Sequence, residues 1–324
     1  MRRVLVSVVT PTWNRADLLG RVWAGLRTQS DIAIEWLVGN DASVDDTSSI
    51  VAELAAKSDF PVTLIEASAR VGKACMDNEL VAAANGEFII WCDSDDHLLP
   101  GALARLVEVW SQIPDGHKDG YLGVCARAET EDRVLGAAVE RAQDDWQWNS
   151  LFSALGSDLV IFARTELVKR VRFKEVDFMI PETSVWNVVG IMRVKFIDAP
   201  LKRVHYNQPN ALSFTGKMQY NRGRAHALGG NYQYVKDRLG MRGEFVRAVN
   251  FIRYCVHGDV SFSAAKSIWV GSSRSKLMLL LGSLPAIGLI LRDQWRGVVE
   301  KTHIEFERNR KSARLSRKYW SGGC

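Results

Sequence analysis

The sequence predicts an α/β protein, a mostly parallel sheet with helices on both faces, followed by a mainly helical C-terminal extension. Two observations carry that prediction. Short, nearly uncharged Val- and Ile-rich runs alternate with amphipathic stretches through the first hundred residues, the pattern of a parallel sheet covered on both sides. Three of those runs also stop abruptly in polar residues, at the strand ends where such sheets bind ligands.

Val4 to Thr10 reads as the first buried strand, broken by Pro11-Thr12-Trp13-Asn14-Arg15. A helix from about Ala16 to Thr28 puts Leu18, Leu19, Val22, Trp23 and Leu26 on one face. Strand Ile34 to Val38 ends at Gly39-Asn40-Asp41-Ala42-Ser43, and a helix over 46–57 opens with acidic residues that suit its dipole. Strand Val62 to Glu66, the loop Arg70-Val71-Gly72-Lys73 and a helix over 75–84 lead to the run Phe88-Ile89-Ile90-Trp91-Cys92. Further on, a helix over 102–110, a Pro114-Asp115-Gly116 turn and strands at 121–127, 159–163 and 194–197 are expected, with a short helix over 166–171. Residues 128–157 are poorly periodic. Pro181-Glu182-Thr183-Ser184 reads as a loop and N-cap before a helix over 185–192.

Apolar content of 47% and charged content of 24% are those of a globular chain. The five cysteines form no CxxC pair, and their odd number argues for a reducing compartment. Met1-Arg2-Arg3 followed by a strand does not read as a signal peptide. Charge is unevenly shared: residues 241–324 hold 15 Lys/Arg against 6 Asp/Glu, a net +9, while the rest holds 27 against 31, a net −4. A basic C-terminal third suggests a second surface with an anionic partner.

The stretch Asp93-Ser94-Asp95-Asp96 carries the chemistry. Carboxylates at i and i+2 of an extended segment point to the same side, so Asp93 and Asp95 can converge on one hard divalent cation. Such a cation, completed by phosphate oxygens, commonly holds a nucleotide diphosphate. The plainer alternative is a strand ending in a solvated acidic turn.

Three segments decide between them. Val8 to Arg15, Asn40 to Thr47 and Gly86 to Asp96 resemble, in words, order and spacing, the three successive motifs of family 2 glycosyltransferases with the GT-A fold. The resemblance is sharp over 4–110 and looser to about 235, which gives a GT-A domain over 1–235 and a helical extension over 236–324. It implies an inverting transfer from a nucleotide-diphosphate sugar, commonly UDP-linked. Pro11 and Thr12 would then lie against the base, Asp41 would accept a hydrogen bond from it, and Gly72 and Lys73 would lie near base and diphosphate. Asp93, Ser94 and Asp95 match the DxD segment that meets donor and metal, Mn²⁺ or Mg²⁺. Asp96 would cap the turn or touch the sugar. The family usually has two acidic residues where this chain has Asn40-Asp41. Glu182 matches the family's catalytic base, with Thr183 where an Asp often stands; Asp177 and Asp158 are fallbacks. His205 matches a late metal or diphosphate ligand. Its imidazole suits Mn²⁺ better than Mg²⁺.

Other residues are read more plainly. His97 is expected in a turn. Trp13, Trp146 and Trp148 suit either core packing or stacking on a sugar or base. Arg222, Arg224 and His226 suit a solvated helix face or a lid over the diphosphate. Leu277 to Leu291 is a 15-residue uncharged run, too short to span a bilayer. With the basic residues to Lys318 it suggests peripheral contact through 277–318 with the inner, cytoplasmic face of a membrane, the alternative being a buried or homodimer helix pair. No nucleic-acid motif is present. The expected acceptor is a saccharide or lipid-linked saccharide of cell-envelope synthesis. A nucleotidyltransferase and a non-catalytic nucleotide-sugar-binding scaffold are the rivals.

Overall fold

The computed structural model describes residues 6–29, 32–138, 145–156, 158–176, 178, 180–182, 185, 186, 188, 192–206, 221–230, 240–295 and 313–322. The chain divides into two compact units. The first comprises 1–173, 189–208 and 307–324; the second comprises 174–188 and 209–306.

The first unit holds a mixed sheet with ten strands among the described residues: β1 Val6–Thr12, β2 Ile34–Asn40, β3 Val62–Ala67, β4 Phe88–Trp91, β5 His97–Leu98, β6 Tyr121–Glu129, β7 Asp145–Gln147, β8 Leu159–Arg164, β9 Arg193–Arg203 and β10 Leu315–Trp320. Their order is β10-β3-β2-β1-β4-β8-β6-β9-β5, with β7 also against β9. Strands β3, β2, β1 and β4 are parallel, so their carboxyl ends share one edge. The remaining pairings are antiparallel except β6 with β9. The unit's helices are α1 Ala16–Arg27, α2 Thr47–Ala56, α3 Lys73–Ala83, α4 Ala102–Ser111, α5 Trp148–Leu155 and α6 Thr165–Lys169.

Alternation along the strands builds the core. Val6, Val8, Trp36, Val38, Phe88 and Ile90 join Leu19, Val22 and Leu26 of α1 and Leu103 and Leu106 of α4 in one buried cluster. The intervening Val9, Leu37, Ile65 and Ile89 are equally buried on the other face, which α3 covers. There Gly39 is required by close approach: a Cβ would stand 2.4 Å from Met76 Cγ. Trp36 is buried without an orphaned polar atom, because its indole N–H donates to Thr10 Oγ1 at 3.0 Å, which donates to the Cys92 carbonyl at 2.8 Å.

Two boundaries differ from the sequence reading for identifiable reasons. Pro11 and Thr12 do not break the first strand; they continue it, paired with Gly39 and Asn40. Beyond Val9 strand β4 no longer flanks β1, so proline's missing N–H costs no ladder bond there. Residues 315–320, grouped by the sequence with the helical extension, are instead an edge strand antiparallel to β3. Arg317 reaches Glu79 at 3.4 Å and Lys318 reaches Glu66 at 2.7 Å. Arg317 and Lys318 thus lie in the sheet's edge strand, paired with Glu79 and Glu66 rather than in a helix. Strand β9 is also longer than expected. The helix expected over 185–192 falls largely outside the described residues.

In the second unit the described helices are α7 Asn221–Gly230, α8 Met241–His257, α9 Phe262–Ile268, α10 Ser273–Leu281 and α11 Ser283–Trp295. Ala225, Phe251 and Cys255 form its core, flanked by Leu228, Tyr254, Ile268, Trp269 and Leu279. A buried arginine organises it. Arg247 donates to the carbonyls of Leu228 (2.7 Å), Gly229 (3.1 Å) and Val270 (2.8 Å) and to Ser275 Oγ (3.0 Å). Its guanidinium also stacks 3.9 Å from the Trp269 ring. The bonds to Leu228 and Gly229 satisfy carbonyls at the end of α7 that the helix cannot pair itself.

Arg247→Met keeps the bulk and removes the donors, stranding several buried acceptors. The expected loss is about 2–4 kcal/mol in the second unit's unfolding, read by urea denaturation with far-ultraviolet circular dichroism. Arg247→Lys should recover only part of it.

Candidate functional site

The shared edge of β1, β2, β3 and β4 gathers Thr12, Asp41, the 70–73 loop and Asp93–Asp96. Asp41 is the link between two of these ends. Its carboxylate accepts the backbone N–H groups of Val71 at 2.6 Å and Gly72 at 3.0 Å, and Arg70 Nε stands 3.7 Å away. Burial pushes the Asp41 carboxyl above its ordinary range; the Val71 N–H, Arg70 and the Gly72 N–H pull the other way without prevailing. Gly72 has φ 85°, a conformation a side chain resists, and it lets the loop turn its N–H groups toward Asp41. Asp41 N–H in turn donates to the Thr12 carbonyl at 3.0 Å. Thr12 Oγ1 is buried with no hydrogen-bond partner among the described residues. Arg70 lies 3.5 Å over the Trp13 ring, so Trp13 holds an arginine at this edge.

Asn40 does work that the sequence left open. Its side-chain oxygen accepts the Ser43 N–H and its amide donates to Ser48 Oγ, both at 2.9 Å. Ser48 donates to Glu66, and Lys318 of β10 pairs with Glu66 at 2.7 Å. A chain of polar contacts therefore runs from the edge strand to the loop that carries Asp41. Asn14 and Asp45 pin the same loop: Val44 N–H donates to Asn14 Oδ1 and Ala16 N–H to Asp45 Oδ2, each at 2.9 Å.

The acidic stretch is counterbalanced by cations. Lys73 Nζ lies 3.6 Å from Asp93 Oδ1 and 3.1 Å from Asp77 Oδ2. Arg15 pairs with Asp95 at 3.0 Å and reaches Ser94 Oγ at 3.2 Å. Burial raises the Asp93 carboxyl, but Lys73, Lys202 and Arg15 outweigh it and hold the group below its ordinary range. Asp95 goes the other way: burial, with Asp93 beside it, exceeds the pull of Arg15. Although the Asp93 side chain is 37% exposed, its Oδ1 is buried without a hydrogen-bond partner.

Asp96 is not left at the surface. It is buried and paired with Lys202 of β9 at 2.9 Å, side chains 5% and 8% exposed. Its own burial pushes it up to about 6. Burial alone would lower the Lys202 ammonium, but Asp96 and Asp93 more than offset that. Lys202 brings a fixed cation beneath the acidic stretch.

His97 is not a free turn residue. It sits in β5 with its Nδ1 3.3 Å from His205 Nε2 and the rings stacked 5.3 Å apart. Burial lowers both imidazoles; the neighbouring His205 adds to it for His97, and Arg21 for His205. Among the described residues no three His, Cys, Asp or Glu side chains are already grouped to hold a metal. Asp158 accepts the Tyr206 hydroxyl at 2.6 Å. Trp148 is buried against Phe152. Asp177, Thr183 and Ser184 lie outside the described residues.

In the second unit, Glu182 opens a turn, its carbonyl accepting the Val185 and Trp186 N–H groups at 2.9 and 3.2 Å. Arg222, Arg224 and His226 of α7 are packed: Arg222 lies over Phe178, Arg224 over Tyr254, and His226 Nδ1 is 3.2 Å from Lys174 Nζ. Burial, then Lys174 and Arg222, lowers the His226 imidazole to about 4.

Sequence reasoning missed Arg15, Arg70 and Lys202 as partners of this edge. Arg15 stands inside the first motif and Arg70 beside Gly72, so both were within reach. Lys202 lies far along the chain, with no local pattern to mark it.

Residues 7–153 match the family model described as glycosyl transferase family 2, and the fold is GT-A-like. Among curated proteins it is similar to the GalNAc(5)-diNAcBac-PP-undecaprenol beta-1,3-glucosyltransferase of Campylobacter jejuni, 26% identical over 181 residues, 56% of this chain and 58% of that protein. It also resembles the succinoglycan biosynthesis protein ExoO of Rhizobium meliloti, 32% identical over 103 residues, 32% of this chain and 29% of that protein. The chain thus spans less than two thirds of either relative. Among solved structures, S. aureus TarS 1-349 in complex with UDP-GlcNAc aligns with TM-score 0.56 and 17% identity, covering 89% of this chain and 82% of that one. A mannosyltransferase from Pyrobaculum calidifontis in complex with GDP-Man and Mn²⁺ aligns with TM-score 0.51 and 19% identity, covering 92% and 86%. At these identities the likeness shows the fold.

Glu66 provides a pH test of the relay. Burial raises its carboxyl, but the Lys318 and Ser48 hydrogen bonds prevail and hold it below its ordinary value. A depressed folded value means the contribution is present above the unfolded value, near 4.3, and is lost as pH falls through the folded one. Amide exchange in β10, corrected for intrinsic rate, should therefore quicken on acidification below about pH 4. In Glu66→Gln it should be fast at both ends of that range.

Proposed function

We propose that this chain is an inverting glycosyltransferase that moves a sugar from a nucleotide-diphosphate sugar, UDP-linked in the first instance, to a hydroxyl of a saccharide on a lipid carrier. The work would belong to cell-envelope polysaccharide or glycolipid synthesis, at the cytoplasmic face of a membrane. The observation that carries this reading is the shared strand edge, where Thr12, Asp41 and the Asp93–Asp95 pair come from three parallel strands beside Lys73 and Arg15. The relatives named above as an undecaprenol-linked glucosyltransferase and a succinoglycan biosynthesis protein support the acceptor class.

Thr12 Oγ1, buried and unpaired, and the Asp41 carboxylate would meet the base, against Pro11. Gly72 and Lys73 would face the diphosphate. A divalent cation fits the donor set: Asp93 Oδ1 is buried with no hydrogen bond, and an all-oxygen pair suits Mg²⁺ or Mn²⁺. Asp93 and Asp95, with Ser94 between them, would hold it, and Asp95 would exchange Arg15 for it. His205 would have to release His97 to join them. When bound, the cation would neutralise charge on the leaving diphosphate. Lys73 and Arg15 would supply fixed positive charge to the same end. Glu182 would accept the proton of the acceptor hydroxyl as its oxygen bonds to the anomeric carbon and the bond to the diphosphate breaks, which inverts that carbon.

Calorimetry of UDP, GDP, CDP and their sugar conjugates, with and without Mn²⁺, tests the donor assignment. One nucleotide should bind in a metal-dependent way and lose that dependence in Asp95→Ala. Binding of none to the folded protein would remove the assignment. Glu182→Gln should leave donor affinity unchanged and lower kcat by about 10²–10⁴-fold; unchanged turnover would exclude Glu182 as the base.

A further inference from the structure

The helix pair α10 and α11 is built inside out. Its inner side carries Ser275, Gly282, Ala286, Ile290 and Asp293, while its outer side carries Leu277, Leu280, Leu284, Ile287, Leu291 and Trp295. A helix on a water-facing surface has the reverse pattern. The outer residues recur in steps of three and four, so they form one stripe that continues across the 48° bend between the helices. Leu280, Leu284 and Trp295 are 71%, 78% and 86% exposed.

This orientation is locked from within. Asp293 binds Arg253 at 2.5 Å and His257 at 3.0 Å, and Ser275 binds the buried Arg247 at 3.0 Å. Gly282 allows close approach to α8, since a Cβ there would lie 3.1 Å from Val249 Cγ2. Turning the leucines inward would cost Arg247 its bond to Ser275 and leave Arg253 without its carboxylate partner Asp293. An exposed apolar stripe of this length, held outward by polar contacts, marks a surface with a partner.

We infer that the stripe rests on an anionic lipid surface, with α10 and α11 lying in the plane of the interface. Three features select that partner. No single helix among the described residues is long and apolar enough to cross a bilayer; the bent pair together has the length and composition to do so, but its inner side is packed on α8 through Ser275, Gly282 and Asp293, which leaves the outer stripe for lipid. Residues 240–295 hold seven Lys/Arg against three Asp/Glu, and two of those acids, Glu244 and Asp293, are buried and paired with Arg274 and Arg253. The outward charge is therefore positive, with Lys276 and Arg292 exposed near the ends of the stripe. Trp295 closes it with a residue suited to the headgroup boundary.

Co-sedimentation with vesicles tests this on the full chain. Vesicles of phosphatidylcholine with about one-third phosphatidylglycerol should bring the protein down, and phosphatidylcholine alone should do so less. The combined variant Leu280→Gln, Leu284→Gln, Ile287→Gln and Leu291→Gln changes only outward residues. It should keep its circular dichroism and its nucleotide binding while its partition falls by at least about 100-fold. A second measurement is independent of that variant: brominated lipids should quench the wild type more than Trp295→Phe. Sedimentation unaffected by the substitutions would overturn the inference. So would a wild type that ignores both vesicles, whether it is a monomer or a dimer that the variant dissociates; the dimer would give the stripe to a second copy. Nucleotide calorimetry reads the donor site separately, so either conclusion can fail without the other.

Discussion

The polar edge shared by β1, β2, β3 and β4 depends on one carboxylate. Parallel strands end side by side without bonding to each other past their last residues, so some side chain must close the gap between adjacent ends. Asp41 does so by taking two N–H groups from the loop after β3 while its own N–H bonds β1. The loop is then fixed where Gly72 can adopt its positive φ, and α3 starts at Lys73, which points its ammonium toward Asp93 and Asp77. Burial makes Asp41 reluctant to ionise, so its bonds to Val71, Gly72 and Arg70 are what keep a charge acceptable there. One side chain thus ties the ends of β1 and β2 to the loop after β3.

The acidic stretch shows the complementary constraint. Asp93, Asp95 and Asp96 stand within four residues, and like charges so close cannot all ionise without compensation. Each receives a different cation: Lys73 for Asp93, Arg15 for Asp95 and Lys202 for Asp96. Lys202 and Asp96 are enclosed, so that pair belongs to the scaffold. Arg15 and Lys73 are mostly covered but keep 11% and 20% exposure. The edge therefore contains one enclosed ion pair beside two that still reach the surface.

Legibility followed the range of the interactions. Strand ends, the i and i+2 carboxylates and the glycine of the 70–73 loop are local patterns, and they were readable because a period of two or a turn is written in adjacent letters. Lys202, His205 beside His97, and Lys318 reach the edge from 100 to 250 residues away, and no spacing rule announces them. Pro11 illustrates the opposite error. Local propensity makes it a breaker, yet the sheet tolerates it because β4 ends short on that side. Asn40 looked like a loss against the family's usual acid. In place it is the end of a relay through Ser48 and Glu66 to β10, which an aspartate could not enter in the same way, since a carboxylate has no N–H to donate to Ser48.

The C-terminal region shows what composition can and cannot say. Basic residues and an apolar run adjacent in sequence suggested a single anionic-membrane segment ending at Lys318. The structure assigns them to different units. The last basic residues cover an exposed sheet edge, where lysine and arginine on a β-strand also discourage pairing with other chains. The apolar run meanwhile turns its leucines outward because serine, glycine, alanine and aspartate occupy the side that meets α8. Hydropathy averaged over a window gives the same value for a helix with its leucines in or out. The face is decided by which neighbours need polar partners, and here the buried Arg247 and the half-buried Arg253 decide it.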